Sequence, residues 1–225
     1  IINLSHFAVI DVEGPDHVAL MEWLCAARIG GDANIGKGIY THFLDDEGMV
    51  RADLTVIRME DRCRVIDGAD AGPRDYHYMR RVAQDKGFDV TITDVTEKYV
   101  TVGIWGPNAR ATLQKVVEDP EGLAPENFPF AAIKPVSIAG RQVTAFRLSY
   151  VGEQGWELHM RYEDGLAVWD VLRSTGVMAV GVETYANSRR MEKSLRLQNA
   201  DLLTEYNLFE ADLARGAPDG VAVWL

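Results

Sequence analysis

A strand, a Gly-Pro pair, a helix and then paired strands follow one another twice along this chain of 225 residues. In the first copy, residues 7–14 alternate as a strand does, and Gly14-Pro15 opens a helix with proline in its first turn. In the second copy, strand-like residues 99–105 lead to Gly106-Pro107 and another amphipathic helix. Because single strands and helices do not alternate regularly, the pattern predicts two α+β units of similar design.

The expected boundaries place a first α+β unit at residues 1–88, a second at residues 89–215 and an unassigned tail at residues 216–225. The length of 225 residues is about one and a half times the usual domain size of roughly 150 residues. It therefore fits two interlocked small units as well as one large domain, and the repeated pattern favours the two units.

The balance of charge excludes some classes of partner. Lysine and arginine number 23 and aspartate and glutamate 34, which gives a net charge of −11. A chain this acidic is a poor ligand for nucleic acid or for an anionic membrane surface. Cys25 and Cys63 are too few for a disulfide framework and favour a reducing compartment, the cytoplasm or the mitochondrial matrix. No apolar run is long enough to span a bilayer.

Two familiar site motifs are incomplete. Residues 31–38, GDANIGKG, resemble a phosphate-binding loop, but Gly38 follows Lys37 and offers no hydroxyl to Mg²⁺. The histidines have no paired ligand spacing, so no metal site is predicted. They are His6, His17, His42, His77 and His159.

A dense charge run lies at residues 188–197, SRRMEKSLRL. Opposite charges three and four residues apart are typical of a solvated helix face. The cationic edge of an anion site is the alternative interpretation, and composition leaves both open.

Two carboxylates lie inside predicted strands, where acidic residues are depleted. In the strand at residues 49–59, Asp53 alternates with the apolar residues and falls on the polar face. In the strand at residues 156–161, Glu157 and His159 share the face opposite Trp156. An exposed strand carboxylate is the simple interpretation, while a carboxylate beside buried aromatic residues also indicates a ligand site.

Five segments match one known set of motifs, in order, across nearly all of residues 1 to about 210. They are LSHF (4–7), YTHFLDDEGMVRADLTVIR (40–58), GPNAR (106–110), RLSYVGEQGWELHM (147–160) and SRRMEKSLRL (188–197). In these segments the chain resembles the glycine cleavage T-protein (aminomethyltransferase) family. The last segment is most similar to its form in the folate-binding domains of dimethylglycine and sarcosine dehydrogenases and of related tetrahydrofolate-dependent demethylases.

The resemblance implies roles for four residues. Asp53 falls on the family's catalytic aspartate, and Glu157 falls on the glutamate that binds the pterin ring. Tyr40 and Tyr150 fall on cofactor-binding tyrosines. A pterin presents an N3–H and an amino group side by side, and a carboxylate accepts hydrogen bonds from both. A carboxylate near the amine that receives the one-carbon unit can stabilise a developing cation and move a proton.

The implied activity is transfer of a methyl or aminomethyl group from a methylated amine to tetrahydrofolate, giving 5-methyl- or 5,10-methylene-tetrahydrofolate. Alternatives are an O- or S-demethylase of the same fold, acting on an aromatic methoxy group or on dimethylsulfoniopropionate, a non-catalytic folate-binding protein of iron–sulfur assembly, and a plain interaction domain. The expected cofactor is tetrahydrofolate, with FAD only if a dehydrogenase domain is fused upstream. The expected partners are a small-molecule methyl donor and a flavin dehydrogenase domain or subunit.

The resemblance also implies a fold, namely two interlocked ferredoxin-like α+β units. Full members of the family have about 50 residues before the LSHF segment and a C-terminal β-barrel, and both are expected to be missing here. Ala52 replaces the first of two adjacent aspartates that are common in the family, and Ala186 stands where T-proteins often have an arginine. That arginine's ligand contact therefore has no counterpart at Ala186.

Overall fold

A computed structural model describes residues 1–213 and divides the chain into two compact units. We call residues 1–6 with 97–195 the Glu157 unit, and residues 7–96 with 196–213 the Asp53 unit. Each unit has one five-stranded antiparallel sheet. The predicted α+β class with two units of similar plan is confirmed.

The regular elements follow the chain in this order. The strands are β1 (Ile2–Asn3), β2 (Ala8–Glu13), β3 (Lys37–Leu44), β4 (Val50–Arg58), β5 (Arg62–Asp67), β6 (Thr91–Asp94), β7 (Tyr99–Trp105), β8 (Ile133–Ile138), β9 (Arg141–Phe146) and β10 (Gly155–Arg161). The helices are α1 (His17–Leu24), α2 (Gly72–Lys86), α3 (Ala109–Leu113) and α4 (Gly165–Ser174). Short 3-10 turns lie at Asp32–Asn34, Thr96–Lys98, Glu121–Leu123, Tyr162–Asp164 and Met191–Lys193, and a π-helix at Thr184–Arg189.

In the Asp53 unit the strand order is β3-β4-β5-β2-β6. Alternate residues of these strands face a core that α1 and α2 cover with buried residues such as Leu20 and Met79. Gly87 ends α2 in the left-handed conformation, with φ 75°, as the sequence predicts. The opposite face of the sheet carries Asp53, because successive strand residues point to opposite faces.

In the Glu157 unit the strand order is β1-β7-β10-β9-β8. Trp156, Leu158 and Met160 of β10 lie in a core to which α3 and α4 contribute apolar side chains. Glu157 and His159 alternate with these residues and lie on the other face, as predicted. Since β10 is the central strand, both residues have a neighbouring strand on each side.

The two Gly-Pro pairs precede helices as predicted, and each glycine has a positive φ. The values are 118° for Gly14 and 136° for Gly106. A side chain at Gly14 would place its Cβ 2.6 Å from the Asp89 carbonyl oxygen, so only glycine fits there. The second helix, α3, ends at Leu113 and is shorter than the apolar stripe suggested.

The division between units differs from the expected boundaries. Residues 1–6 group with the later segment because Ile2 pairs with Gly103 and the Leu4 N–H donates to the Thr101 carbonyl at 2.8 Å. Residues 196–213 group with the earlier segment, since the Val50 N–H donates to the Tyr206 carbonyl at 2.8 Å. The tail assigned to residues 216–225 lies outside the described residues.

Candidate functional site

Asp53 lies in the middle of β4, directly opposite His42 on β3. Tyr40 shares the face of His42, because the two are separated by one residue on the strand. The Tyr40 hydroxyl donates to the Asp53 carboxylate, and its oxygen lies 3.1 Å from His42 Nε2. The same His42 nitrogen is 3.6 Å from Asp53 Oδ1. Two of the predicted site residues, Asp53 and Tyr40, are thus in direct contact.

The surroundings of Asp53 favour its protonated form. Its side chain is only 12% exposed, and Oδ1 has no hydrogen bond among the described residues. Burial raises the pKa of this carboxyl to about 7, against a smaller opposite effect of the Tyr40 hydroxyl. Burial also lowers the pKa of His42 to about 4, so this imidazole is neutral near pH 7. Asp53 can therefore exchange a proton near neutral pH.

A register shift in the pairing of β3 with β4 occurs at Arg51, two residues before Asp53. The pairing of β3 with β4 shifts between Phe43 and Leu44, which leaves Arg51 as the extra residue on β4. Its guanidinium lies 4.0 Å from the ring centroid of Tyr78 on α2. The basic side chain found within 4 Å of the Asp53 carboxylate is His42, whose imidazole is neutral near pH 7. The Arg51 guanidinium instead packs on an aromatic ring.

Gln198 completes the backbone pairing beside Asp53. Strand β5 ends at Asp67, opposite Leu54, so the preceding part of β4 has no strand partner on that side. The Gln198 side chain accepts from the Asp53 N–H and donates to the Arg51 carbonyl, both at 3.4 Å. No sequence pattern marks this residue, because the contact joins positions 145 residues apart.

A pair of buried acidic residues lies near the end of β5. Asp67 and Asp75 are 2% and 0% exposed. Arg74 donates to both oxygens of Asp75, at 2.9 and 2.8 Å, and the Gly68 N–H donates to Asp67 at 2.7 Å. Burial and the nearby charge of Asp75 raise the pKa of Asp67 to about 8. Sequence reasoning missed this pair, since the two residues lie on different elements.

Glu157 lies on the central strand β10, between Gly103 of β7 and Phe146 of β9. It is 4% exposed. His159 Nε2 is 3.2 Å from Glu157 Oε2, without hydrogen-bond geometry, and His159 Nδ1 is 3.0 Å from Thr101 Oγ1. The Glu157 carboxylate thus lies beside the His159 imidazole, on the face predicted for it.

Three aromatic rings lie on the Glu157 side of this unit. Trp105 crosses Gly103, where a Cβ would meet its ring at 2.1 Å. Its ring stacks on Tyr185 at 5.3 Å between centroids, and Tyr185 lies 5.2 Å from Tyr150. The predicted cofactor residue Tyr150 thus belongs to an aromatic group with Trp105 and Tyr185, which sequence reasoning missed. A π-helix supplies Tyr185, and such helices occur often at functional sites.

The charge run at residues 188–197 is only partly a solvated helix face. Arg189 lies 3.0 Å from Glu192, the expected pair three residues apart. Arg190, however, is 6% exposed and donates to the carbonyls of Ala186 and Leu195 at 2.7 and 3.0 Å. These bonds join a carbonyl of the π-helix to that of Leu195, beyond the Met191–Lys193 turn, so Arg190 helps to hold this segment together.

Other sites are separate from these carboxylates. An open groove of about 550 Å³ lies between α2 and β6, and its lining includes His77, Arg80 and Arg81 but no predicted site residue. Across residues 1–213, no group of three acidic, histidine or cysteine side chains is arranged to hold a metal ion. In the same range no helix has the length and apolar character that crossing a membrane requires.

Comparison with known proteins decides the family. The family model described as the GCVT N-terminal domain matches residues 1–217. This chain belongs to that family. Over 218 residues it is 34% identical to mitochondrial dimethylglycine dehydrogenase of Rattus norvegicus, covering 95% of this chain and 25% of the relative. It is 28% identical to an aminomethyltransferase of Paraburkholderia phymatum, covering 94% of this chain and 57% of the relative.

The fold agrees with a solved member. The crystal structure of the glycine cleavage system aminomethyltransferase T from Bartonella henselae superposes with a TM-score of 0.75 at 24% identity, over 92% of this chain and 54% of that one. The predicted family and fold are confirmed. The chain spans about a quarter to just over half of the length of these relatives. The roles of Asp53, Tyr40, Glu157 and Tyr150 remain predictions.

Proposed function

We propose that this GCVT N-terminal domain takes part in tetrahydrofolate-dependent transfer of a one-carbon unit from a methylated amine. The proposal is carried by Asp53, a buried carboxyl with a pKa of about 7 at the position of the family's catalytic aspartate. The 34% identity to a dimethylglycine dehydrogenase supports a methylated amine as the donor. A methyl group moved intact would give 5-methyl-tetrahydrofolate. The product 5,10-methylene-tetrahydrofolate would require prior two-electron oxidation of the N-methyl group, with the flavin of the proposed dehydrogenase domain or subunit as the oxidant.

The proposed ligand of Glu157 is the pterin ring. The chemistry of a carboxylate fits this ring, because its two oxygens accept from two adjacent N–H donors that an amide could not satisfy together. Glu157 is 4% exposed, and such a low-dielectric position strengthens hydrogen bonds to a bound partner. The flat rings of Trp105, Tyr150 and Tyr185 supply stacking surface in the same unit.

Asp53 is the proposed proton-transfer group. When bound, tetrahydrofolate supplies the amine that takes the one-carbon unit. Asp53 holds that amine through its carboxylate, stabilises positive charge that develops beside it and accepts the proton that the amine gives up. A pKa of about 7 leaves both the acid and the base form populated at neutral pH. Alignment of the two reactants contributes most, since orientation supplies about 7–11 kcal/mol of a barrier.

The test is tetrahydrofolate-dependent demethylation by the full-length enzyme. We expect Asp53→Asn to lower kcat by about 10²–10⁴-fold, the usual contribution of a general acid or base. Asp85→Asn, on the exposed side of α2, is the matched control and should keep wild-type turnover. Wild-type turnover in Asp53→Asn would reject the proposal. Folate binding without turnover by the wild-type enzyme would favour the non-catalytic binding protein instead.

The donor and the partner are tested separately. Dimethylglycine, sarcosine, dimethylsulfoniopropionate and vanillate should each be incubated with tetrahydrofolate and the full-length enzyme. We expect product from the methylated amines, while product from the sulfonium or methoxy compound alone would assign an S- or O-demethylase. We also propose a flavin dehydrogenase domain or subunit as partner, and flavin analysis of the full-length protein tests this.

A further inference from the structure

His42 is a buried side chain of the Asp53 unit to which the proposed mechanism gives no role. It is 2% exposed and lies at the centre of β3, in register with Asp53. A polar residue at such a position needs a partner to offset the loss of water. Its Nε2 atom has two nearby groups, the Tyr40 hydroxyl at 3.1 Å and Asp53 Oδ1 at 3.6 Å. The first is within hydrogen-bond distance, and the second is beyond it.

We propose that His42 is a positioning residue that donates its Nε2–H to the Tyr40 oxygen and thereby directs the Tyr40 hydrogen to Asp53. The inference rests on the proposed function for its catalytic meaning, while the hydrogen-bond chain itself can be measured without substrate. The chain runs from Nε2–H to the Tyr40 oxygen and from the Tyr40 O–H to the carboxylate.

The direction of the chain follows from counting donors. A neutral imidazole has one N–H, and a tyrosine hydroxyl has one hydrogen and two lone pairs. If His42 Nε2 carried no hydrogen, it would compete with Asp53 for the single hydrogen of Tyr40. Asp53 Oδ1 already has no hydrogen bond among the described residues, so that arrangement would take a donor from a carboxylate that is poorly solvated. With the hydrogen on Nε2, the imidazole donates to the Tyr40 oxygen and the Tyr40 hydrogen stays with Asp53.

Groups on two neighbouring strands face the Asp53 carboxyl or act on it electrostatically. Tyr40 and His42 face it from β3, and Asp53 interacts with the charge of Asp67 at the end of β5. Arg51 of β4 is turned toward Tyr78. The Tyr40 hydroxyl is therefore the neighbour that favours the charged form of Asp53, and His42 acts through it.

The experiment follows the Asp53 carboxyl by ¹³C NMR in the full chain through a pH titration, with the signal assigned from Asp53→Asn. Tyr40→Phe should raise the pKa of Asp53 by about 1–2 pH units, the usual effect of one hydrogen bond to a charged group. His42→Phe, which keeps a ring but has no N–H, should raise it in the same direction by a smaller amount. In the Tyr40→Phe background His42→Phe should add nothing.

Matched variants keep the test decisive. His42→Gln places an amide N–H near the Nε2 position and should restore the wild-type pKa of Asp53, while exposed His77→Phe should leave that pKa unchanged. If His42→Phe fails to fold, the Gln variant and the Tyr40 titration carry the test. The proposal would be overturned if the pKa of Asp53 responded to Tyr40→Phe but not to His42→Phe. It would also be overturned if His42→Gln shifted this pKa as much as His42→Phe does.

Turnover supplies an independent readout. In the full-length enzyme, the pH dependence of kcat should contain a transition that reports the ionisation of Asp53. His42→Phe should shift this transition to higher pH and leave the KM for tetrahydrofolate unchanged. A shift in the NMR titration together with wild-type turnover in Asp53→Asn would retain the hydrogen-bond chain and reject the proposed function. If the NMR titration were unchanged in His42→Phe but turnover were lost in Asp53→Asn, the proposed function would be retained and the hydrogen-bond chain rejected.

Discussion

Asp53 and Glu157 are both buried strand carboxylates with a histidine on the same face, but their surroundings differ. Asp53 meets His42 across a strand pair at 3.6 Å, with Tyr40 as its hydroxyl donor. Glu157 meets His159 two residues along its own strand at 3.2 Å. Glu157 also has strand neighbours on both sides, while β5 ends beside Asp53 and a side chain completes the ladder.

This difference separates two kinds of work. A group that must change its protonation state needs few compensating charges, because a strong ion pair would fix it in the charged form. A group that must hold a ligand needs a fixed position, which a central strand provides. Asp53 satisfies the first condition and Glu157 the second, although both looked alike in the sequence.

Changing the length of each carboxylate side chain by one methylene tests the comparison most strongly. Asp53→Glu keeps the charge but moves it by one methylene, and displacement of a catalytic group by about 1 Å lowers rates by on the order of 10²-fold. We expect kcat to fall by that amount with little change in folate affinity. Glu157→Asp should weaken folate binding and leave kcat at saturation close to wild type. Equal effects of the two variants on both parameters would remove the distinction.

The packing beside Glu157 can be tested at Gly103, which is paired with Glu157 on the neighbouring strand and lies under the Trp105 ring. In Gly103→Ala the new Cβ would lie 2.1 Å from the Trp105 ring, so the ring must move. We expect the free energy of unfolding to fall by about 1–3 kcal/mol, as for other overpacked sites. Gly181→Ala in the same unit has nothing within 4 Å of its Cβ and is the control. Chemical unfolding measures both, and equal stabilities of the two variants would show that Trp105 is not held there.

The pH dependence of the free energy of unfolding tests the electrostatics of the Asp53 unit at Asp67, which interacts with the charge of Asp53. The pKa of Asp67 is about 8 in the folded chain, against an ordinary value of 3.8. The folded state therefore binds this proton more tightly, and its stability falls as pH rises from about 4 to about 8. Asp67→Asn resembles the protonated form and should escape this loss.

We expect the stability advantage of Asp67→Asn over wild type to grow by about 1–3 kcal/mol between pH 5 and pH 8.5, the scale of a poorly compensated buried polar group. Urea unfolding at the two pH values measures it, with exposed Asp85→Asn as control. An advantage that is constant or shrinks with pH would contradict the raised pKa of Asp67.

The smallest expected effect concerns the aromatic group of the Glu157 unit. Tyr185→Leu removes the stack on Trp105 and the contact with Tyr150. We expect a loss of about 0.5–1.5 kcal/mol in the free energy of unfolding, typical of aromatic pairs. Tyr185→Phe keeps the ring and should retain most of this energy. Thermal unfolding of both variants and of the wild type measures the difference. A Leu variant as stable as wild type would show that the stack contributes nothing.

Local patterns predicted much of this fold. Alternation placed Asp53 and Glu157 on the faces where they are found, and Gly87 marked the end of α2 because only a left-handed residue closes that turn. The expected unit boundaries differ from the observed division because strand pairing between Ile2 and Gly103 joins distant segments. No periodicity carries information about such long-range pairs.

The candidate site was predictable only in part. Family motifs pointed to Asp53, Tyr40, Glu157 and Tyr150, and the structure brings Tyr40 to Asp53 and places Tyr150 beside Tyr185. The contact of Gln198 with Asp53 and the Asp67–Asp75 pair could not be predicted from the sequence. These interactions depend on where β5 ends and α2 begins. The bulge at Arg51 was also missed, because one extra residue in a strand leaves no trace in an alternating pattern.

Tetrahydrofolate titration calorimetry of Asp53→Asn and Glu157→Gln tests the division of roles most directly, with exposed Glu126→Gln as control. Glu157→Gln should bind about 10- to 100-fold more weakly, because the amide cannot accept from both pterin donors and loses hydrogen bonds to a charged group. Asp53→Asn should bind within about threefold of wild type, since its proposed contribution is to proton transfer. Weak binding by Asp53→Asn with wild-type binding by Glu157→Gln would contradict the account.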